Sequence, residues 1–316
     1  MDAGLPFLYC YLFEQTKSMK RQPELKTIRD HIRYAASRFN EAGLYYGHGT
    51  DNAWDEAIML IMHTLHLPHH LLTETQDANV TKKEQDAILD LVEKRLTQRI
   101  PLAYLTNEAW FAGLPFYVDK RVLIPRSSIT ELILSQFEPW VDASDVNDIL
   151  DLCTGSGCIA IACAHAFPDA LIDASDISKE ALAVAKINVL RHEVEDQVQL
   201  YESDLFDSLP SKKYDIIVSN PPYVSEEEMA ELPAEYHHEP ALGLESGKKG
   251  LDCVTRMLQK AHTYLRPKGI LVVEVGNSET ALQEKYLNVP FTWLSFEQSE
   301  GGVFVLTTEQ LAEYFN

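Results

Sequence analysis

Asn220, Pro221, Pro222 and Tyr223 follow the apolar run YDIIVS without a break. Proline fixes φ at about −65° and has no N–H, so two in succession neither extend a strand ladder nor open a helix. They make a rigid corner that carries one amide and one phenol at the end of a strand. Upstream, ILDLCTGSGCIAIACA (149–164) runs an apolar strand into Asp151, then turns through Cys153, Thr154, Gly155, Ser156 and Gly157 into a helix of small residues. Glycine lets backbone approach a ligand closely there, and the helix start offers unpaired N–H groups. No Lys follows, so the turn is not a P-loop, and Ala160 satisfies only the relaxed form of G-x-G-x-x-G. Alone, the turn could serve a nucleotide or be a tight connection that binds nothing.

Two acidic positions narrow the choice. Asp176 ends the next apolar segment, about 20 residues past the glycine turn, where a carboxylate can accept from both ribose hydroxyls. It could also cap the helix that follows, but Ser178 can do that itself. Asp204, in ESDLF, ends a third segment; it could accept from an adenine amino group while Leu205 packs on the ring. A turn with an acidic neighbour and no adjacent Lys or Arg suits a cationic, phosphate-free adenosine ligand. S-adenosyl-L-methionine is such a ligand and NAD is not.

These residues need a sheet that brings strand ends together. After residue 145 apolar strands alternate with helices: DVNDILDLC, a helix at 156–166, ALIDASDI, a helix at 178–191, QVQLYESD, YDIIVSN, a helix near 251–265, and GILVVEVG. VPFTWLSFEQ and GVFVLTTE close the chain as a hairpin. The alternation predicts an α/β domain with a mostly parallel sheet, whose ligands bind beyond the carboxyl ends of the strands. Residues 21–102 read as helices, with Thr81 and Glu84 at capping-box spacing, and 103–125 as a β-hairpin linker. A helix is expected across SSITELILSQFEPW.

The 316 residues carry 27 basic and 48 acidic side chains, a net charge of −21. Such a surface repels a nucleic-acid backbone and attracts a basic partner, so direct DNA binding is not expected. No apolar run reaches 18 residues, which excludes a spanning helix. GLPFLYCYLF (4–13) has no basic residue before it and no clean cleavage site after it, so residues 1–20 read as an N-terminal extension and the protein as cytoplasmic. The five cysteines form no C-x-x-C pair and read as free thiols, with Cys153, Cys158 and Cys163 packed between sheet and helix. His63, His66, His69 and His70 look metal-like, but Pro68 breaks the helix that would align them, and no metal is expected.

DLCTGSGCIAIA, Asp176, SDLF and NPPY together resemble the motifs of class I S-adenosylmethionine-dependent methyltransferases that act on planar, conjugated nitrogen. Two groups share N-P-P-Y: the DNA adenine N6-methyltransferases and the HemK/PrmC/PrmB protein-glutamine N5-methyltransferases. RIPLAYLTNEAWFAGLPFYVDKRVLIPRS, YGHGTDNAWDEA and LPAEYHHEPALGLESGKKGLD resemble the PrmB branch of the second group, from about residue 25 to 310. The release-factor branch usually has TG in place of TNEAWF and IPRP in place of IPRS.

The resemblance implies a Rossmann-like domain at 126–316 with a seven-stranded sheet, a helical substrate-recognition domain at 21–102, and methyl transfer to a glutamine of large-subunit ribosomal protein uL3. A release-factor glutamine and DNA adenine are the alternatives. In the corner, the Asn220 oxygen and the Pro221 carbonyl would accept the two N–H bonds of the target nitrogen, and Tyr223 would pack on the flat amide. Pro221 and Pro222 fix both acceptors in advance. Pro125, Arg126 and Ser127 match a stretch that borders the cofactor, although Arg126 could equally be a structural pin. Tyr236, His238, Glu239 and Pro240 fall where a lid or a substrate-contacting loop is expected.

Overall fold

The structure is a computed structural model and describes residues 24–296 and 302–315. The N-terminal extension, Cys10 and the turn of the closing hairpin lie outside the described residues. Helix α1 (Ile28–Glu41) begins at Thr27, which shares a reciprocal capping box with Asp30. Its buried Ile28, Ile32, Ala35, Ala36 and Phe39 recur every three or four residues, as a helix with one dry face requires. That stripe packs on α2 (Ala53–Thr64) and, beyond the short α3 (Leu72–Thr75), on α4 (Lys82–Gln98). The capping box expected at Thr81 and Glu84 starts α4. Helix α5 (Leu102–Thr106) leads into the antiparallel hairpin β1 (Glu108–Phe111) and β2 (Leu114–Tyr117).

Helix α6 (Ile129–Leu134) is shorter than the 127–140 span expected of it. Gln136 and Phe137 take positive φ, and the buried Phe137 ring turns into the core instead of continuing the helix. The alternation then unfolds as β3 (Asp148–Leu152), α7 (Cys158–Ala166), β4 (Leu171–Asp176), α8 (Lys179–Arg191), β5 (Val198–Glu202) and β6 (Tyr214–Ser219). Next come α9 (Glu226–Glu231), α10 (Asp252–Lys260), β7 (Leu265–Glu274), α11 (Glu279–Lys285), β8 (Thr292–Leu294), β9 (Val303–Thr307) and α12 (Thr308–Phe315). Helices α9, α11 and α12 were not anticipated, and β7 starts four residues before the expected GILVVEVG.

The seven strands form one sheet in the order β5-β4-β3-β6-β7-β9-β8, parallel except where β9 pairs antiparallel to β7 and β8. This is the mostly parallel seven-stranded architecture that the resemblance implies. Both faces are covered: α6, α7 and α8 lie over one and α10, α11 and α12 over the other. The central β3, DILDL, is therefore buried at every position and apolar at three, with no alternation. The chain winds outward from β3 to β4 and β5, then returns to β6 on the other side of β3. A crevice opens at that reversal, beyond the carboxyl ends of β3 and β6.

Candidate active site

Strand register brings the motifs together. Leu152 of β3 lies opposite Ser175 of β4 and Ser219 of β6, so Cys153, Asp176 and Asn220 leave the sheet side by side. The Ser219 hydroxyl donates to the Leu152 carbonyl at 2.6 Å and ties the two strands at the reversal point. Beyond them is a cavity of about 350 Å³. Its wall includes Pro125, Arg126, Ser127, Cys153, Thr154, Gly155, Asp176, Asp204, Leu205, Asn220 and Pro222.

The glycine turn is built on two carboxylates. Asp151 is fully buried beneath it and does not line the cavity; its Oδ2 accepts from the Thr154 hydroxyl at 2.6 Å and the Ala160 amide at 3.1 Å. Burial, with Asp176 as a like-charged neighbour, pushes the Asp151 carboxyl up to about 7 against the two donors. Asp176 accepts from the Gly155 amide at 2.9 Å and the Ser178 amide at 2.8 Å, one on each oxygen. Ser178 itself caps α8, so Asp176 closes the turn and still has lone pairs facing the cavity. Its carboxyl is raised by burial, which those backbone donors oppose. Gly155 has φ +55°, and a Cβ there would point into open space within the cavity. The space above the turn is thus open.

Ser156 and Gly157 are not part of the cavity wall; Gly157 packs against Ala185 of α8. Asp204 lines the wall, but Arg256 holds both its oxygens at 2.9 Å, so the carboxylate expected to face an adenine amino group already has a partner. No Lys or Arg neighbours the turn in sequence, yet Arg121, Arg126 and Arg256 all line the cavity. They come from segments remote in sequence, and each is paired to an acid, with Asp119, Glu239 and Asp204 respectively. Among the described residues, the wall therefore offers no uncompensated arginine to a phosphate.

Asn220 is half-buried, and its Oδ1 is buried with no hydrogen-bond partner. Orphaned buried acceptors are uncommon in folded proteins and call for an explanation. Pro221 is buried behind it and Pro222 lines the cavity. Tyr223 lies just off the cavity wall. Its carbonyl accepts from the Ser278 hydroxyl at 2.7 Å, and its phenol is raised well above its ordinary range by burial, with the Glu274 charge adding to the effect.

The loop after the corner fastens to the helical region. Glu239 binds Arg126, and Tyr236 sits against the His48 ring at 4.5 Å and under the Arg126 guanidinium at 5.2 Å. His238 meets the Gln98 carbonyl at 2.8 Å. Arg95 of α4, almost wholly buried, reaches Glu56 at 2.6 Å and Glu235 at 3.2 Å. Arg95, Glu235, Arg256 and Glu274 carried no signal in the sequence beyond their charge. His63 and His69 line a separate cavity of about 50 Å³, and among the described residues no three His, Cys, Asp or Glu side chains converge as metal ligands.

The family model described as the PrmC N-terminal domain matches residues 30–106, and the one described as the methyltransferase small domain matches residues 128–235. The ribosomal protein uL3 glutamine methyltransferase of Neisseria gonorrhoeae is 51% identical over 289 residues, covering 91% of this chain and 96% of its own. The chain belongs to the uL3 glutamine methyltransferase family. The enzyme of that name from Neisseria meningitidis serogroup A is also 51% identical over 289 residues, covering 91% of this chain and 95% of its own. Among solved structures, a methyltransferase from Pyrococcus furiosus matches 72% of this chain and 99% of its own at 17% identity and a TM-score of 0.45. In this member of the uL3 glutamine methyltransferase family, no helix among the described residues is long and apolar enough to cross a membrane.

Proposed function

We propose that this methyltransferase transfers a methyl group from S-adenosyl-L-methionine to the side-chain amide nitrogen, N5, of a glutamine in ribosomal protein uL3. The observation that carries the reading is the buried, unpartnered Oδ1 of Asn220, a residue of the cavity wall one position beyond the end of β6. The names of relatives identical at half their positions over nine-tenths of the chain favour uL3 over a release factor or DNA.

The cavity suits the donor: open space above Gly155, the Asp176 carboxylate for ribose hydroxyls, and arginines already neutralised. Bound S-adenosyl-L-methionine would supply an electrophilic methyl group on a sulfonium. The chain's own task is to hold a weak nucleophile, because the amide lone pair is delocalised into the carbonyl. Asn220 Oδ1 and the Pro221 carbonyl each accept one N–H, which fixes the nitrogen and favours the pyramidal geometry of attack. The prolines set these acceptors before the substrate arrives, so no reorganisation is needed as charge develops. Tyr223 packs on the flat amide and keeps water away. No general base is required early, since the proton can leave after the methyl has moved. Holding nitrogen and methyl in line supplies the remaining acceleration.

Residues 21–102 act in this reading as the substrate-recognition domain and 126–316 as the catalytic domain, joined through the 103–125 hairpin. The net charge of −21 suits a basic ribosomal protein, and the reaction belongs in the cytoplasm, where free thiols such as Cys153, Cys158, Cys163 and Cys253 persist. The test is incubation with labelled S-adenosyl-L-methionine and undermethylated uL3, with mass spectrometry to locate the label. An Asn220→Ala variant should bind the donor and lose turnover.

A further inference from the structure

Glu274 ends β7 inside an apolar run, VVEVG, and belongs to none of the motifs above. Ser219 of β6 pairs with Val273 of β7, so Asn220 and Glu274 leave the sheet as neighbours. The Glu274 side chain is buried. Its Oε2 accepts from the Ser127 hydroxyl at 2.6 Å and the Ser128 amide at 3.1 Å, and its Oε1 faces the Tyr223 hydroxyl at 3.5 Å. Ser127 belongs to the cavity wall and Tyr223 to the corner, so a single carboxylate spans both.

The rest of this strand end is shaped to the same phenol. A Cβ on Gly276 would lie 2.6 Å from the Tyr223 ring, so only glycine leaves room for the ring. Ser278 holds the Tyr223 carbonyl. Ring, hydroxyl and backbone of Tyr223 are each contacted within five residues of one strand end. A buried carboxylate costs more than an apolar residue of equal volume, and it persists where its oxygens are needed. Burial raises the Glu274 carboxyl, and the Ser127 and Ser128 donors, Arg126 and Tyr223 oppose that rise.

We propose that Glu274 is a positioning residue for methyl transfer, anchored by Ser127 and Ser128 and holding the Tyr223 phenol so that the substrate amide meets the donor in line. This rests on the reading of Asn220 to Tyr223 as the amide-holding corner. It acts through Tyr223 and touches neither substrate nor donor.

The experiment is a double-mutant cycle on the full chain, with Glu274→Gln, Tyr223→Phe and the double variant assayed for kcat, for KM on uL3 and for donor dissociation constant. Glu274→Gln should lower kcat by about tenfold or more, while KM and donor affinity stay within about twofold. In the Tyr223→Phe background the same substitution should change kcat by less than about twofold. An equal fall in both backgrounds, or no fall in either, overturns the proposal. If Glu274→Gln does not fold by thermal melting, Glu274→Asp carries the same cycle. Wild-type turnover on uL3 tests the underlying reading separately from the comparison among variants.

Discussion

Glu239 takes both terminal nitrogens of the Arg126 guanidinium, at 2.7 and 2.8 Å, and its Oε1 also accepts from the Ile124 amide at 2.9 Å. The pair joins the loop after the Asn220–Tyr223 corner to the segment that walls the cavity. His48, from the helical region, stands 3.4 Å from the other carboxylate oxygen. Arg126 is therefore a pin in the cavity wall.

Breaking this pair should cost stability first. Glu239→Gln leaves Arg126 largely buried without its counter-charge, and removing one partner of a buried pair costs on the order of 3–5 kcal/mol. Urea unfolding at pH 7 measures it. Burial alone would raise the Glu239 carboxyl, but Arg126 and His48 overcome it and hold it down at about 2. A depressed carboxylate stabilises the fold above the unfolded chain's value and loses that contribution as pH falls from about 4.5 to about 2. Wild type should lose stability over that window, and Glu239→Gln should show a shallower decline.

Asp151 has the opposite sign. Its carboxyl is raised from 3.8 to about 7, so the folded state holds the proton more tightly and stability falls as pH rises between those values. Without donor, Asp151→Asn should gain on wild type between pH 4.5 and pH 8 by ~3 kcal/mol. Parallel stability curves for the two proteins would refute the role given to this buried acid.

Gly276 offers a steric test of the corner. With φ at +44° and the Tyr223 ring in the way, an alanine must displace the phenol. A shift of about 1 Å at a reacting group can cost on the order of 100-fold. Gly276→Ala should lower kcat toward that extent while calorimetry finds the donor bound as in wild type. A loss confined to donor affinity would place Tyr223 on the cofactor side instead.

Legibility in the sequence followed the range of the interaction. Asp151, Asp176 and Asn220 lie at or beside the ends of strands, each within a short local pattern that reveals it, and the parallel sheet follows from the alternation that carries them. Glu274 was hidden because VVEVG reads as one more buried strand and its partner Ser127 is 147 residues away. Arg95 and Glu235, 140 residues apart, were unreadable for the same reason. Asp204 shows the converse: its place at a strand end was foreseeable, but its capture by Arg256, 52 residues on, was not. Helix α12 escaped notice because Thr307 and Thr308 are β-branched and extend the strand pattern over the helix start.

We propose that Asn220 and its proline-fixed neighbour hold a glutamine amide of uL3 for methylation. The most direct measurement gives wild type and Asn220→Ala labelled S-adenosyl-L-methionine with undermethylated uL3, locates the label by mass spectrometry, and measures donor affinity by calorimetry. Methyl is expected on a glutamine N5 with wild type, and no turnover but unchanged donor binding with Asn220→Ala. Label on a release factor, on DNA or on another side chain, or full turnover by the variant, would contradict it.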